Sequence, residues 1–469
     1  MVLTNESMGA STPMLPAALL GPVPTRVERL AEGKGLRKVV PRLSHAGWEP
    51  GTDRFDPVEV LVESNRLRVP DLVPLRHRRM LESPFAFLRG SALVMAHDLA
   101  TTPTVGLTVQ LCGDAHLLNF GVFASPERTL VFDLNDFDET WPGPFEWDVK
   151  RLAASAFVAS QENRMDDAAA RVVTMAAVRS YRTWMQRYSE MTHLEVWYAM
   201  LDARTVLDLF SPSDRRVTKR TIDKALTRNH EAAVTKLTKL VDGRRSIIAD
   251  PPLVTRVDED RDVAQQLPNM IEAYRQTLVP DRRALFDRYR LVDMARKVVG
   301  VGSVGTRCYI LLFQGPNGGP LFLQAKEASA SSGELAGLPG EPLHCGERVV
   351  VGQRLLQSAS DILLGWTTNE PAGRHYYIRQ LWDAKGSADV AGMTPAALGT
   401  YASSCGWALA RAHARTADSV MIAGYLGNSP RFDEAITDFA QAYSEQTSRD
   451  YAALLRAAEQ GRIPIAPAN

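Results

Sequence analysis

The chain has 469 residues, of which 45% are hydrophobic and 23% are charged, close to the average of soluble globular proteins. This composition excludes a disordered chain, a collagen-like repeat and a disulfide-rich scaffold. Lysine and arginine together number 54, as do aspartate and glutamate, so the formal net charge is zero. A balanced charge argues against a general binder of nucleic acid or of anionic membranes.

The cysteines and the apolar segments indicate where the protein works. The four cysteines lie far apart, and no C-x-x-C or Cys/His cluster predicts zinc or a redox dithiol. A reduced, cytoplasmic setting is the simplest interpretation. Pro13 and Pro16 interrupt the early apolar run, which disfavours a secretory signal, and no stretch reaches the ~18 to 20 apolar residues of a membrane span. We expect a soluble protein.

Changes in composition divide the chain into six predicted parts. In chain order they are a disordered tail (1–25), a proline-punctuated helical lead-in (26–100), a part with short strands and two acidic loops (101–160), a helical module (161–290), a strand-rich part with a glycine-rich hairpin (291–390) and a helical C-terminal part (391–469).

Hydrophobic periodicity and turn residues predict the individual elements within these parts. The predicted elements are a helix over 85–99, strands over 106–111 and 129–132, strands over 306–313 and 321–325 joined by a GPNGG turn, a helix over 346–364, a strand over 376–381 and helices from 395 onward. This mixture predicts an α+β fold.

The sharpest motif follows the first predicted strand. Gly113-Asp114-Ala-His-Leu-Leu-Asn119 places an aspartate and an asparagine on one tight loop, and a second strand then leads to Asp136-Phe-Asp138. Phosphoryl transfer needs such a set, with one carboxylate for the proton of the attacking hydroxyl, and an amide and a carboxylate for Mg²⁺. The alternative is two β-turns in which these side chains cap the local backbone.

With these residues the sequence resembles the aminoglycoside and choline phosphotransferase branch of the protein-kinase-like superfamily. That branch has an H-G-D-x-x-x-x-N loop, a strand, D-F-x and a later aspartate that opens a helix. The resemblance implies that Asp114 is the catalytic aspartate, that Asn119 and Asp136 bind metal and that Asp148 braces the loop. Cys112 stands where the branch has histidine, and a small apolar thiol can pack there.

Two further residues of these loops are assigned supporting roles. His116, inside the catalytic loop, either contacts substrate or holds the loop, and the residues alone do not decide between the two. Asp138 is the second acidic residue of the D-F-D sequence, and we include it among the supporting residues.

The second motif is glycine-rich and precedes a lysine. Gly300-Val-Gly302-Ser303-Val-Gly305 fits G-x-G-x-x-G, which alone equally suggests a dinucleotide fold. A dinucleotide motif opens a helix, whereas this one runs into a strand, a turn and a second strand that carries Lys326. That is the kinase order of a phosphate-covering hairpin and a lysine. The alternative is a plain glycine bend and an exposed lysine.

Further nucleotide contacts are expected after Lys326. A carboxylate on the following helix should orient the lysine, and Glu347 is the best-placed candidate, with Glu334 and Glu327 as alternatives. The strand 375–382 would meet adenine, with Gln380 binding the nucleotide and Trp382 lining it. The alternative for this aromatic strand is plain core.

The two motifs stand in an unusual order, because the catalytic and metal loops precede the glycine loop. We therefore expect a two-lobed, protein-kinase-like fold that is circularly permuted, in which parts 101–160 and 391–469 form the large lobe and part 291–390 the small one. Two helices, Phe87–Leu99 and Ala408–His413, are candidates for the helix that precedes the catalytic loop in space.

Across almost its whole length the chain also resembles an uncharacterised bacterial family, domain of unknown function 2252. The stretches that carry this resemblance are 79–90, 112–121, 136–152, 348–354, 379–386 and 424–427. The family is grouped with the kinase-like superfamily by resemblance, and this resemblance implies no particular substrate.

The expected function is an ATP- and Mg²⁺-dependent phosphotransferase. Asp148 follows Asp136 by too few positions for a long regulated activation segment, which indicates a small-molecule acceptor. Nucleotidyl transfer at the same site and a non-catalytic nucleotide sensor or scaffold are the alternatives. We expect no nucleic-acid or membrane partner, and the acceptor and the oligomeric state stay open.

Overall fold

The structure is a computed structural model that describes residues 24–216, 219, 223, 227, 230–242, 244–256, 261–341, 344–381 and 386–467. Two predictions fall outside these ranges. They are the predicted disordered tail up to residue 23 and the proposed adenine contact of Trp382.

The described chain mixes helices and strands, which confirms the α+β class. The main helices are Arg26–Gly35, Pro57–Ser64, Val73–Met80, Pro84–Gly90, Ala92–Leu99, Phe145–Glu162, Asp167–Tyr188, His193–Tyr198, Ala203–Asp208, His230–Leu237, Arg261–Thr277, Pro280–Phe286, Ser332–Leu335, Cys345–Leu356, Pro395–Thr416, Ser419–Leu426 and Arg431–Glu459. The strands are β1 (Thr108–Leu111), β2 (Phe120–Ala124), β3 (Leu130–Leu134), β4 (Trp141–Pro144), β5 (Thr238–Val241), β6 (Arg244–Ile247), β7 (Val254–Arg256), β8 (Arg290–Lys297), β9 (Cys308–Gln314), β10 (Pro320–Ala328), β11 (Gly365–Asn369), β12 (Arg374–Gln380) and β13 (Gly386–Ser387).

Six strands form one antiparallel sheet in the order β11-β12-β10-β9-β8-β7. Because side chains alternate along a strand, β10 presents Leu321, Leu323 and Ala325 to the helix Arg261–Thr277 on one face. Lys326 therefore lies on the opposite face, directly across from Tyr377 of β12. Through Lys326 and Tyr377, this face of the sheet contacts Asp138.

The six-stranded sheet and the helices that cover it are one body of the fold. Long helices and short strands form the second body. Phe145–Glu162, Asp167–Tyr188, Pro395–Thr416 and Arg431–Glu459 pack around a large apolar core that also takes in β1, β2 and β3. A fully buried ion pair joins Arg411 to Asp133 at 2.8 Å. Strands β2 and β3 form an antiparallel pair, and β1 pairs with β4, so the two acidic loops emerge close together above this core.

The N-terminal helices pack against both bodies. Val69 N–H donates to Gly305 O at 2.8 Å, and the guanidinium of Arg68 donates to Val304 O at 2.7 Å. On the other side, Arg54 forms ion pairs of 2.7 Å with Asp98 and Asp450. The lead-in is therefore an integral part of the fold, and it touches the glycine-rich loop directly.

Several elements differ from their predicted bounds. The predicted helix over 85–99 is two helices, because Ser91 leaves the helical conformation and Gly90 lies against the Met80 side chain, where a Cβ would come within 2.7 Å. Strand β2 was not predicted, and strands β5, β6 and β7 lie within the stretch predicted as a helical module. Over the part of the chain described here, no helix has the length and apolarity needed to cross a bilayer.

Candidate functional site

The predicted catalytic loop, Gly113–Asn119, begins with a glycine that the backbone requires. Gly113 has a φ of +81°, and a Cβ there would lie 2.0 Å from Glu139 O, so a side chain has no room. The loop passes through Asp114 and ends in a short 3₁₀ turn, Leu117–Asn119, that runs directly into β2. The sequence therefore folds Asp114 and Asn119 onto one tight turn.

Asp148 holds the start of this loop through hydrogen bonds from the loop backbone. Its carboxylate accepts hydrogen bonds from the backbone N–H of Cys112 at 2.7 Å and of Gly113 at 3.0 Å. His413 Nε2 lies 3.2 Å from the same carboxylate, and His413 Nδ1 lies 2.9 Å from the Tyr181 hydroxyl. Cys112, Asp148, His413 and Tyr181 are buried, and Gly113 is partly buried. The helix Pro395–Thr416, which carries His413, therefore lies beneath the catalytic loop.

Asp114 is held by an arginine that the motif analysis did not single out. Arg151 donates from Nε at 2.8 Å and from Nη2 at 2.6 Å to Asp114 Oδ1. Burial raises the pKa of Asp114, and Arg151 opposes that rise. The arrangement fixes one carboxylate oxygen and leaves Oδ2 directed toward His116 Nε2, 3.5 Å away.

His116 is a neutral contact of Asp114. Burial, together with the cations Arg89 and Arg151, lowers the pKa of His116 well below its usual range. Its Nδ1 is buried and has no hydrogen-bond partner among the residues that the structure describes. The ring lies inside the loop beside the Asp114 carboxylate. Both predicted roles of His116, substrate contact and loop support, remain predictions.

Asn119 and Asp136 are brought together by the β2–β3 pair. Asn119 Nδ2 donates to the backbone oxygens of Asp114 at 3.0 Å and Asp136 at 3.1 Å. Two carbonyls can only accept, so this contact fixes the orientation of the amide. Asn119 Oδ1 is then buried without a hydrogen-bond partner in the described chain. An orphaned carbonyl oxygen on a residue that contacts Asp136 suits a hard cation.

Lys326 meets the predicted metal loop, Asp136–Asp138, from the six-stranded sheet. Its ammonium forms an ion pair with Asp138 and lies 3.7 Å from Asp136 Oδ2. Burial alone lowers the pKa of Lys326, but the two carboxylates outweigh it and raise the pKa above its usual value. Lys326 is 3% exposed and Asp136 43% exposed, so the open side of this cluster is the side of Asp136.

Asp138 connects three separate segments. Besides Lys326, it accepts a hydrogen bond from the Tyr377 hydroxyl at 2.8 Å and from Ser303 Oγ at 3.4 Å. Tyr377 lies on β12, and Ser303 lies in the glycine-rich loop between β8 and β9. The glycine loop, the lysine strand and the metal loop therefore converge on one carboxylate.

The glycine-rich loop lies against the N-terminal helices. Gly300 and Gly305 have φ values of +69° and +90°, which favour glycine. A Cβ on Gly302 would lie 3.1 Å from Arg89 O, so the loop packs closely on the end of helix Pro84–Gly90. Gly300 O also accepts a hydrogen bond from the Arg79 guanidinium.

The predicted glutamate partners of Lys326 make other contacts. Glu347 lies in the first turn of helix Cys345–Leu356, where its N–H bonds to His344 Nδ1, and the ion pairs of Lys326 are with Asp136 and Asp138. Glu327 pairs with Arg307 and Arg374. Glu334 lies in a one-turn helix capped by Ser331.

Gln380 is hydrogen-bonded to Asp361. Its side chain donates to the Asp361 carboxylate at 2.7 Å, and its backbone N–H donates to the same carboxylate. Arg379 is the residue of this strand end that reaches the metal loop, donating to Asn135 O at 3.3 Å. Contact of Gln380 with a nucleotide stays a prediction.

The sequence analysis did not assign a role to three residues of this site. Arg151 lies three positions after Asp148 on one helix, and this spacing could have placed both on one face. Arg348 donates to Asp138 O at 2.8 Å and Thr140 O at 2.6 Å, so it ties the helix Cys345–Leu356 to the metal loop. Tyr377 had no local signal, because its position opposite Lys326 depends on strand register.

Comparison with known proteins identifies the family of this chain. A family model described as "Uncharacterized protein conserved in bacteria (DUF2252)" matches residues 68–457. Neither the search of curated proteins nor the search of solved structures found a match. The matched segment contains the catalytic loop, the metal loop, the glycine-rich loop and Lys326. Because it spans well over half of the sequence, the chain belongs to the DUF2252 family.

Proposed function

We propose that this protein is an ATP- and Mg²⁺-dependent phosphotransferase that acts on a hydroxyl of a small-molecule acceptor. The observation that carries the proposal is the ion pairing of Lys326 with Asp138 and Asp136. Lys326 and Asp138 are 188 positions apart in the sequence. A lysine, a glycine-rich loop and a pair of acidic loops in one cluster are the parts that phosphoryl transfer uses.

The proposed fold is two-lobed, kinase-like and circularly permuted. Its support is the order of elements in the six-stranded sheet, where the glycine-rich loop joins β8 to β9, Lys326 lies on β10 and the helix Cys345–Leu356 follows. In protein kinases a glycine-rich loop also covers the phosphates and the lysine lies on the third strand. Here the catalytic and metal loops come first in the chain, which is the basis for proposing permutation.

The residues present fit Mg²⁺. Asn119 Oδ1 and the Asp136 carboxylate would hold it, and Mg²⁺ commonly takes one or two protein ligands together with phosphates and water. Within the described ranges no group of three or more His, Cys, Asp or Glu side chains offers an all-protein cage. When bound, the ion would neutralise charge on the nucleotide phosphates.

Each residue has a defined task in the proposed reaction. Asp114 Oδ2 takes the proton of the acceptor hydroxyl, while Arg151 holds Oδ1 and fixes the orientation of the carboxylate. The acceptor oxygen forms a bond to the terminal phosphorus, the bond from that phosphorus to the β–γ bridging oxygen breaks, and ADP leaves with the electron pair. Lys326 and the backbone of the glycine loop hold the remaining phosphates.

The products of ATP turnover test the proposal. We expect the protein to bind ATP only with Mg²⁺ present and to release ADP and phosphate slowly when water is the acceptor. Release of pyrophosphate and AMP would instead identify nucleotidyl transfer. Binding without turnover would identify a nucleotide sensor, and a protein that binds no ATP would refute the proposed site.

Replacing Lys326 with methionine is expected to weaken ATP binding by roughly 10- to 100-fold, the usual cost of one lost hydrogen bond to a charged group. The variant also leaves Asp136 and Asp138 without their shared cation. Isothermal titration with Mg-ATP measures the effect. Lys239→Met, at an exposed position on β5, is the matched control, and equal ATP affinity in both variants would contradict the role of Lys326.

A further inference from the structure

One helix end lies between the two loops of the proposed site. The last turn of helix Pro84–Gly90 places Arg89 O where a Cβ on Gly302 would come within 3.1 Å. The neighbouring Leu88 O accepts a hydrogen bond of 2.7 Å from Arg151 Nη2, and this same nitrogen donates to Asp114 Oδ1 at 2.6 Å. Two consecutive residues of the helix therefore touch the glycine loop on one side and the support of Asp114 on the other.

The Arg89 side chain at this point is a cation without a partner in the described chain. Its guanidinium makes no hydrogen bond and no ion pair with any residue that the structure describes, and its Nε is buried without a partner. Its one aromatic neighbour is the Phe85 ring, 6.0 Å from Cζ. The buried Nε lacks an acceptor, and an anion bound by this guanidinium would supply one.

The neighbouring arginines, unlike Arg89, donate hydrogen bonds to backbone oxygens. Arg68 donates to Val304 O, Arg76 to Gly90 O and Arg79 to Gly300 O, so these three hold the backbone around the glycine loop. Arg151 is bound to Asp114, and Lys326 is paired with Asp138. Of the six described cations named here, Arg89 is thus the one without a hydrogen bond or ion pair to the described chain.

Nearby charges agree with a position beside the reacting groups. Burial lowers the pKa of Arg89, and Asp114 is the carboxylate that opposes this shift most. Arg89 in turn is the cation with the largest effect on the pKa of His116. The guanidinium therefore lies within electrostatic reach of both polar side chains of the catalytic loop.

We propose that Arg89 is a catalytic residue that binds the non-bridging oxygens of the terminal phosphate of ATP. The inference rests on the proposed function and adds to it a cation supplied by the N-terminal helices. Arg89 neither gains nor loses a proton. It would stabilise the charge that spreads over these oxygens while the acceptor–phosphorus bond forms and the bond to ADP breaks, as an arginine does in other phosphoryl transfers.

Comparing ATP with ADP isolates the terminal phosphate. In Arg89→Met we expect Mg-ATP affinity to fall by roughly 10- to 100-fold, Mg-ADP affinity to stay at the wild-type value and ATP hydrolysis to fall by on the order of 10³-fold. Arg89→Lys keeps the charge but not the planar fork, so it should recover part of the lost hydrolysis. Arg66→Met, an exposed arginine of the same region, is the control.

The outcomes separate this inference from the proposed function. Equal losses of ATP and ADP affinity in Arg89→Met, or no loss of either, would overturn the role of Arg89 alone. Wild-type protein that binds no ATP would overturn the proposed function and this inference with it. Thermal unfolding without nucleotide shows whether each variant is folded. If Arg89→Met does not fold, Arg89→Lys is the test variant. An Arg89→Lys protein with an unchanged ratio of ATP to ADP affinity and an unchanged hydrolysis rate would refute the contact.

Discussion

Replacing Asp114 with asparagine should lower the rate of phosphoryl transfer by about 10²- to 10⁴-fold, the usual contribution of a positioned proton-transfer group. Asparagine has the same shape, and its carbonyl oxygen can still accept hydrogen bonds from Arg151, which donates to Oδ1 in the native loop. What it loses is the ability to take a proton. We therefore expect turnover to fall while the loop keeps its conformation.

Nucleotide affinity distinguishes this role from a structural one. Asp114 lies on the acceptor side of the proposed site, so Asp114→Asn should bind Mg-ATP with nearly wild-type affinity in a titration. Asp438→Asn, at an exposed aspartate that also pairs with an arginine, is the matched control and should keep wild-type turnover. A parallel loss of ATP binding and turnover in Asp114→Asn would count against proton transfer.

The acidic loops were predictable from the sequence because their geometry is local. Asp114 and Asn119 are five positions apart on one turn, so their proximity needs no knowledge of the rest of the chain. The approach of Asp136 follows from the β2–β3 pairing, in which Asn135 N–H donates to Asn119 O at 2.8 Å. A short strand pair returns the chain to its starting point. The spacing of the two motifs predicted this proximity, although it did not predict strand β2 itself.

The partner of Lys326 was not predictable for the opposite reason. Motif order suggested a glutamate on the following helix, but Glu347 lies in a helix turn whose backbone is capped by His344. The carboxylate that pairs with the lysine comes from Asp138, on a different body of the fold. Tyr377 joins them only because β12 pairs with β10 in one register, and register is fixed by packing across the whole sheet.

Replacing Asp148 with alanine is expected to lower the free energy of unfolding by about 3 to 5 kcal/mol. The change leaves the buried N–H of Cys112 and the partly buried N–H of Gly113 without their acceptor and removes the partner of His413 Nε2. Cys112 and His413 are enclosed by protein, so water cannot easily replace the carboxylate at these two donors. Denaturant unfolding measures the loss, and turnover should fall as well because Asp114 directly follows Gly113.

Tyr181→Phe is the matched variant for this network. It removes only the hydroxyl at the far end, 2.9 Å from His413 Nδ1, and should cost about 1 kcal/mol. Asp148→Asn retains one oxygen for the loop N–H groups, so it should lie between the two in stability. If Asp148 only braces the loop, Asp148→Asn should also lose less turnover than Asp114→Asn. A loss as large as that of Asp114→Asn in a fully folded Asp148→Asn would instead place Asp148 in the chemistry itself.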